Sequence, residues 1–184
     1  MPRPTHLLKH EHRVIEQAMR ALEGLCVRLE LNEEVPVKAL IQIFDFFQIY
    51  ADRFHHEKEE MFLFPALRKA GIENENGPLS FLAEEHLTER NLLAELGAAI
   101  TEYRQHAENA HLQIIELARN YSQHLLSHIL REDGILFTLA EEILDEATKT
   151  KIHQVFIESE SALGTYSVSY YEKLACELEE SWSV

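Results

Sequence analysis

His55-His56-Glu57-Lys58-Glu59-Glu60-Met61-Phe62-Leu63-Phe64 and His128-Ile129-Leu130-Arg131-Glu132-Asp133-Gly134-Ile135-Leu136-Phe137 are two copies of one pattern, H-x3-E-[ED]-x-[FI]-L-F. A histidine and a glutamate four residues apart share one face of a helix. A single such pair arises by chance in any histidine-rich helix; a doubled one that extends through an acidic neighbour and a Leu-Phe pair does not. Upstream of each copy stands another histidine, His12 and His86, and the spans His12 to His55 and His86 to His128 agree to within one residue. Each half of the chain therefore offers one histidine on a first helix and an H-x3-E on a second.

The sequence around these positions keeps helical period. Ile15, Ala18, Leu22, Leu25 and Leu29 step by three and four, as do Ile114, Leu117, Tyr121, Leu125 and His128. Pro36 and Pro78 suit helix starts, and Gly71 follows a basic last turn. The pattern predicts long helices over 5–30, 36–70, 78–105 and 109–147, joined by short connections. That reads as an all-α, up-down antiparallel four-helix bundle. The bundle is assigned to 1–147 and a C-terminal helical extension to 148–184, two shorter helices split near Gly164. In the extension Tyr171, Leu174, Leu178 and Trp182 form one apolar stripe, read as a cover on the bundle, with a homodimer contact as the alternative.

Phase places the histidines. His12 shares a stripe with Ile15, Met19 and Leu22, and His55 with Phe44, Phe47, Ala51, Glu59 and Phe62. His86 shares one with Leu79, Leu82, Leu93 and Leu96, and His128 with the fourth-helix stripe that runs on to Glu132 and Leu136. All four, with Glu59 and Glu132, face inward. His10, far around the helix from His12, and His56, on a face with Asp45, Asp52 and Glu60, read as rim residues. The competing register is His56/Glu60 in place of His55/Glu59, and the internal repeat favours the latter.

Burial cost then decides the chemistry. An ionised carboxylate inside a bundle is expensive unless paired or bound to a cation. Glu59 and Glu132 have no Lys or Arg on the same stripe of their own helices. Two divalent cations answer that cost, with the glutamates bridging and His12, His55, His86 and His128 as terminal ligands. Imidazole and carboxylate without thiolate suit iron, and accept manganese, zinc or nickel. Four histidines and two carboxylates underfill two octahedral ions, leaving positions for water, an oxo bridge or an exogenous ligand.

Composition agrees. The 184 residues are 46% apolar, enough for a core without staples, and carry a formal charge of −15. That charge disfavours nucleic acid and anionic membrane as partners and suits cation uptake. The two cysteines, Cys26 and Cys176, form no thiol motif, and no apolar run approaches the length of a membrane span, so a cytoplasmic protein is expected. There are 11 histidines.

The stretch His55-x3-Glu59-Glu60-Met61-Phe62-Leu63-Phe64-Pro65 resembles the H-x3-E-E-x-x-L-F-P signature of the hemerythrin-like, or HHE cation-binding, domain family. Glu11-His12-Arg13, Glu85-His86 and His128-x3-Glu132 fall where that family's other ligands are expected, and the similarity covers roughly 5–147. The resemblance implies a four-helix bundle around two non-heme iron ions bridged by two carboxylates and a solvent-derived oxygen. It also implies O2, NO or peroxide as the small ligand, since members include oxygen carriers and sensors and stress proteins linked to nitric oxide and peroxide. Other members repair iron–sulfur centres. Oxygen carriers of the family have an H-x3-H on the third helix; here Arg90 stands four after His86, and His124 is either the replacement ligand or a supporting residue. Gly134 reads as a packing glycine and Tyr121 as a speculative proton donor.

The alternative function is iron delivery to, or repair of, an iron–sulfur protein partner. A ferritin-like oxidase is disfavoured because its Glu-x-x-His spacing occurs here only at Glu108-x-x-His111. A metal-free helical interaction module leaves the buried carboxylates uncompensated.

Overall fold

The computed structural model describes residues 3–72, 77–160 and 167–183. Helix α1 (Pro4–Glu30) opens on a proline at its first turn, where no amide donor is missed. It closes on Asn32 in the left-handed region, whose amide and that of Glu33 cap the carbonyls of Leu29 and Arg28. The second rod is continuous but unevenly wound. It runs through α2 (Val37–Phe46), a π-helical stretch (Phe47–His56), a second one (Glu59–Leu63), and α3 (Phe64–Lys69). Gly71, at φ 95°, ends it, with its own and Ile72's amides donating to Arg68 and Leu67 carbonyls. The third rod is α4 (Pro78–Arg104). The fourth joins α5 (Ala110–Arg131), a π-helical stretch (Glu132–Leu136) and α6 (Phe137–Ile143). Two further helices follow, α7 (Glu146–Ser159) and α8 (Val168–Trp182).

Side-chain pairs fix the directions. Thr5 meets Glu141, His12 meets Glu132 and Glu23 meets Arg119, so α1 and the fourth rod run antiparallel. Glu85 meets His128 while Glu89 meets His124, which sets α4 against α5 in the same way. The expected up-down four-helix bundle is the fold.

One boundary differs. The fourth rod ends at Ile143, not 147, because Leu144 turns to extended backbone and the Asp145 carboxylate accepts the Thr148 amide at 2.7 Å, capping α7 instead. The polar stretch around Asn74–Asn76 and the split at Gly164 lie outside the described residues. Tyr171, Leu174 and Leu178 pack into the bundle core, with Trp182 partly buried beside them. At Gly24 a methyl group would collide with the Trp182 carbonyl, so α1 and α8 touch backbone to backbone. No helix among the described residues is long and apolar enough to cross a membrane.

The core is divided. An upper cluster gathers Ile15, Leu22, Phe46, Phe47, Tyr121 and Leu125 with the stripe of α8. A lower cluster gathers Leu8, Leu63, Phe64, Leu82, Leu136 and Phe137 with Ile152 and Phe156 of α7. Between them lies a belt of buried polar side chains.

Candidate metal centre

The belt is built from four rods, and its histidines are held in a repeated way. His12 Nδ1 lies 2.8 Å from Asp133 Oδ1, and His55 Nδ1 lies 2.8 Å from Glu11 Oε2. His86 Nδ1 lies 2.7 Å from Glu60 Oε1, and His128 Nδ1 lies 3.0 Å from Glu85 Oε2. Each Nδ1–H donating to a carboxylate assigns the tautomer that leaves Nε2 as a free lone pair. Each carboxylate in turn meets a cation: Asp133 meets Arg13, Glu11 meets Lys58, Glu60 meets Arg90, and Glu85 meets Arg131. The repeat explains the set. Glu11 and Glu85 immediately precede His12 and His86; Lys58 and Arg131 stand three after His55 and His128; Glu60 and Asp133 follow the two motif glutamates.

All four Nε2 atoms converge with the carboxylates of Glu59 and Glu132, every one of these six side chains being fully buried. Glu132 Oε2 stands 3.3 Å from His12 Nε2 and 3.2 Å from His128 Nε2. Glu59 reaches His55 Nε2 at 3.7 Å with one oxygen and His86 Nε2 at 3.6 Å with the other. Each glutamate thus spans both hairpins. The six form two overlapping groups with donor atoms close enough for one cation each: His12, His55, Glu59 and Glu132, and Glu59, His86, His128 and Glu132.

His56 is where the sequence reading fails. Read as a rim residue, it is 1% exposed, stacks on His86 with ring centroids 4.0 Å apart, and joins His86 and His128 in a third cation-sized group. The physical reason is the winding. Hydrogen bonds from i to i+5 put more residues in each turn than an α-helix has, so over Phe47–His56 the phase lags and His56 swings inward beside His55. A signal was present: the repeat sets His56 opposite Ile129, an apolar residue that is also buried. Glu89 was missed for the same reason of class rather than phase. It stands three after His86, where the first hairpin has the inward Ile15, and it is 2% exposed. Glu60 is no idle rim residue either, since it orients His86. His124 reaches Glu89 (Nδ1 to Oε1, 3.1 Å) rather than the converging atoms. Tyr121 sits against Phe47 in the upper cluster, and burial, with Glu89 and Asp52 nearby, holds its phenol protonated.

The electrostatics are those of a site built for positive charge. Burial, then the neighbouring Glu132, pushes the Glu59 carboxyl well up, whereas His128 and His12 outweigh burial and hold Glu132 down. Burial and the nearby His12 push His55 down to about 3. His56 is likewise pushed well below its ordinary value, by burial and then by His86 and His128. Burial alone would raise Glu11, but His55 and Lys58 carry it below the usual carboxylate range.

Fit to a cation follows from the atoms left without partners. Both oxygens of Glu59 and of Glu132, Nε2 of His12 and His55, and both ring nitrogens of His56 are buried with no hydrogen bond. His86 and His128 bring their Nε2 atoms to 3.0 Å; with both Nδ1–H groups committed to carboxylates, the contact needs either an added proton on one ring, which Glu132 and Glu85 favour at His128 against burial, or a metal cation in its place. Buried polar groups ordinarily find partners, so this concentration of orphans marks a ligand-binding layer. Residues 3–140 match the family model of the hemerythrin HHE cation-binding domain, whereas no curated protein matches the chain.

Proposed function

The chain belongs to the hemerythrin HHE cation-binding family, and from that premise we propose that its buried belt holds two iron ions with an open coordination position that binds O2, NO or peroxide. The observation that carries this is the set of four glutamate oxygens, buried and unpaired, that span the two hairpins. His12 and His55 would hold one ion and His86, His128 and His56 the other, with Glu59 and Glu132 and an oxo or hydroxo group shared. Iron in such ligation supplies ferrous–ferric cycling and coordination of a small ligand.

The protein's own part is positioning and exclusion. The four Nδ1 carboxylates fix ring orientation and make each imidazole a better donor. The lower and upper apolar clusters keep bulk water from the belt, and Phe137, stacked on His12 at 5.4 Å, closes the first position from below. Counting donors, His12 and His55 would supply two imidazoles to one position and His86, His128 and His56 three to the other, so the position beside His12 and His55 would have more room for an exogenous ligand. Metal analysis of protein purified without chelator, then optical spectra of the ferrous form exposed to O2, NO and peroxide, tests the reading. Two irons per chain and a ligand-dependent oxo-bridge band are expected; zinc alone, or spectra unmoved by all three ligands, would overturn it.

A further inference from the structure

The belt is ringed by ion pairs. Arg13, Lys58, Arg90 and Arg131 back the four carboxylates that orient His12, His55, His86 and His128, so each of these carboxylates is already held by a cation and an imidazole and has little left to offer an incoming metal ion. Glu89 breaks the ring. Among the described residues no ion pair joins it to Lys or Arg; Arg90, its neighbour on α4, turns away to Asp52 and Glu60. Its contacts are imidazoles. Oε1 takes the hydrogen bond from His124, and Oε2, buried and without a hydrogen bond, stands 3.5 Å from His56 Nε2. His124 is 28% exposed at its side chain. Metal-binding atoms therefore run without interruption from solvent, through His124 and Glu89, to the three clustered imidazoles of His56, His86 and His128.

We propose that His124 and Glu89 form the path by which divalent cations enter and leave the belt. The imidazole and the carboxylate take over, one after the other, the water molecules a cation must shed, at the carboxylate of the belt's rim that no Lys or Arg neutralises among the described residues. The first hairpin has Ala51 and Ile15 at the equivalent positions and offers no such sequence of donors. The inference rests on the belt being the metal centre, and its test separates the two.

Chelator-stripped full-length protein is mixed with Co2+ in a stopped-flow spectrometer, following the visible cobalt absorption, and the loaded protein is then mixed with excess chelator. In Glu89→Gln and in His124→Phe, uptake and release should both slow by about tenfold or more while the final absorption and titrated stoichiometry stay at wild-type values. A residue on the path changes both rates and leaves their ratio alone; a ligand changes the ratio. His124→Phe sits at a partly exposed position and tests the path while leaving every side chain of the belt in place, its one interior cost being the hydrogen bond to Glu89. Wild-type rates in both variants, or reduced final loading at an unchanged uptake rate, would overturn the path and leave the metal centre standing. No cobalt spectrum in the wild-type protein would remove both.

Discussion

The two hairpins do the same structural work with the same offsets, yet they are not equivalent. Glu11-His12, His55, Lys58, Glu59 and Glu60 in one answer Glu85-His86, His128, Arg131, Glu132 and Asp133 in the other, contact for contact. Among the buried histidines and carboxylates the halves part company at His56 against Ile129 and Glu89 against Ile15, and the partly exposed His124 stands against Ala51. All three additions cluster around His86 and His128. The repeat supplies the scaffold, and the departures from it give the two sides of the belt different surroundings: one with fewer donor atoms, the other with more and with the partly exposed His124 beside it.

The largest effect falls on the elements the hairpins share. Glu59→Ala or Glu132→Ala removes a carboxylate that spans both positions and should lose most bound metal by elemental analysis. Glu60→Ala, which only frees His86 to rotate, should weaken binding about 10- to 100-fold. Equal loss in all three would break the distinction between spanning and orienting carboxylates.

Next comes a difference between the halves. Lys58 is 3% exposed and held between Glu11 and the Phe54 ring, whereas its counterpart Arg131 is 39% exposed at its side chain. Lys58→Met leaves Glu11 buried without its cation and should cost about 3–5 kcal/mol of unfolding free energy in urea. Arg131→Met, screened by solvent, should cost below about 1 kcal/mol. Similar losses would show the two cations to be equivalent after all.

The smallest effect is in pH. In metal-free protein His55 holds its pKa near 3 while the unfolded chain takes a proton at the ordinary imidazole value of 6.5. As pH falls below 6.5 the unfolded state gains a proton that the folded state refuses, so this residue removes about 1.4 kcal/mol per pH unit until the folded pKa is reached. His55→Gln should flatten the fall in unfolding free energy, measured in urea, between pH 6.5 and 5.5 by about 1 kcal/mol, because the full slope is reached only below that window. An unchanged slope would mean that the His55 ring takes up its proton in the folded state.

Periodicity made the rods, the antiparallel order and the convergence of His12, His55, Glu59, His86, His128 and Glu132 legible, because burial of these residues follows a period that sequence carries directly. It could not carry His56, since a 100° step per residue was assumed across a stretch wound more loosely, and no residue type announces π winding. Glu89 is hidden by its chemical type, since a glutamate with no repeated partner reads as solvent-facing even though it stands on an apolar stripe opposite the buried Ile15. Asp145 was equally readable in principle: an acid three before Thr148 competes with helix continuation, and the competition is settled by how Ile152 and Phe156 fill the lower cluster.

The division of the apolar interior has a mechanical side. The lower and upper clusters are joined through the belt of histidines and glutamates and not through hydrocarbon, so the cohesion of one end is transmitted to the other by whatever bonds these side chains to each other. Cations held there would make that bond short and stiff, and without them the two ends of the bundle would open more independently. Occupancy would thus be written into the cooperativity of the whole chain, legible to any chaperone or protease that samples how often its two ends come apart.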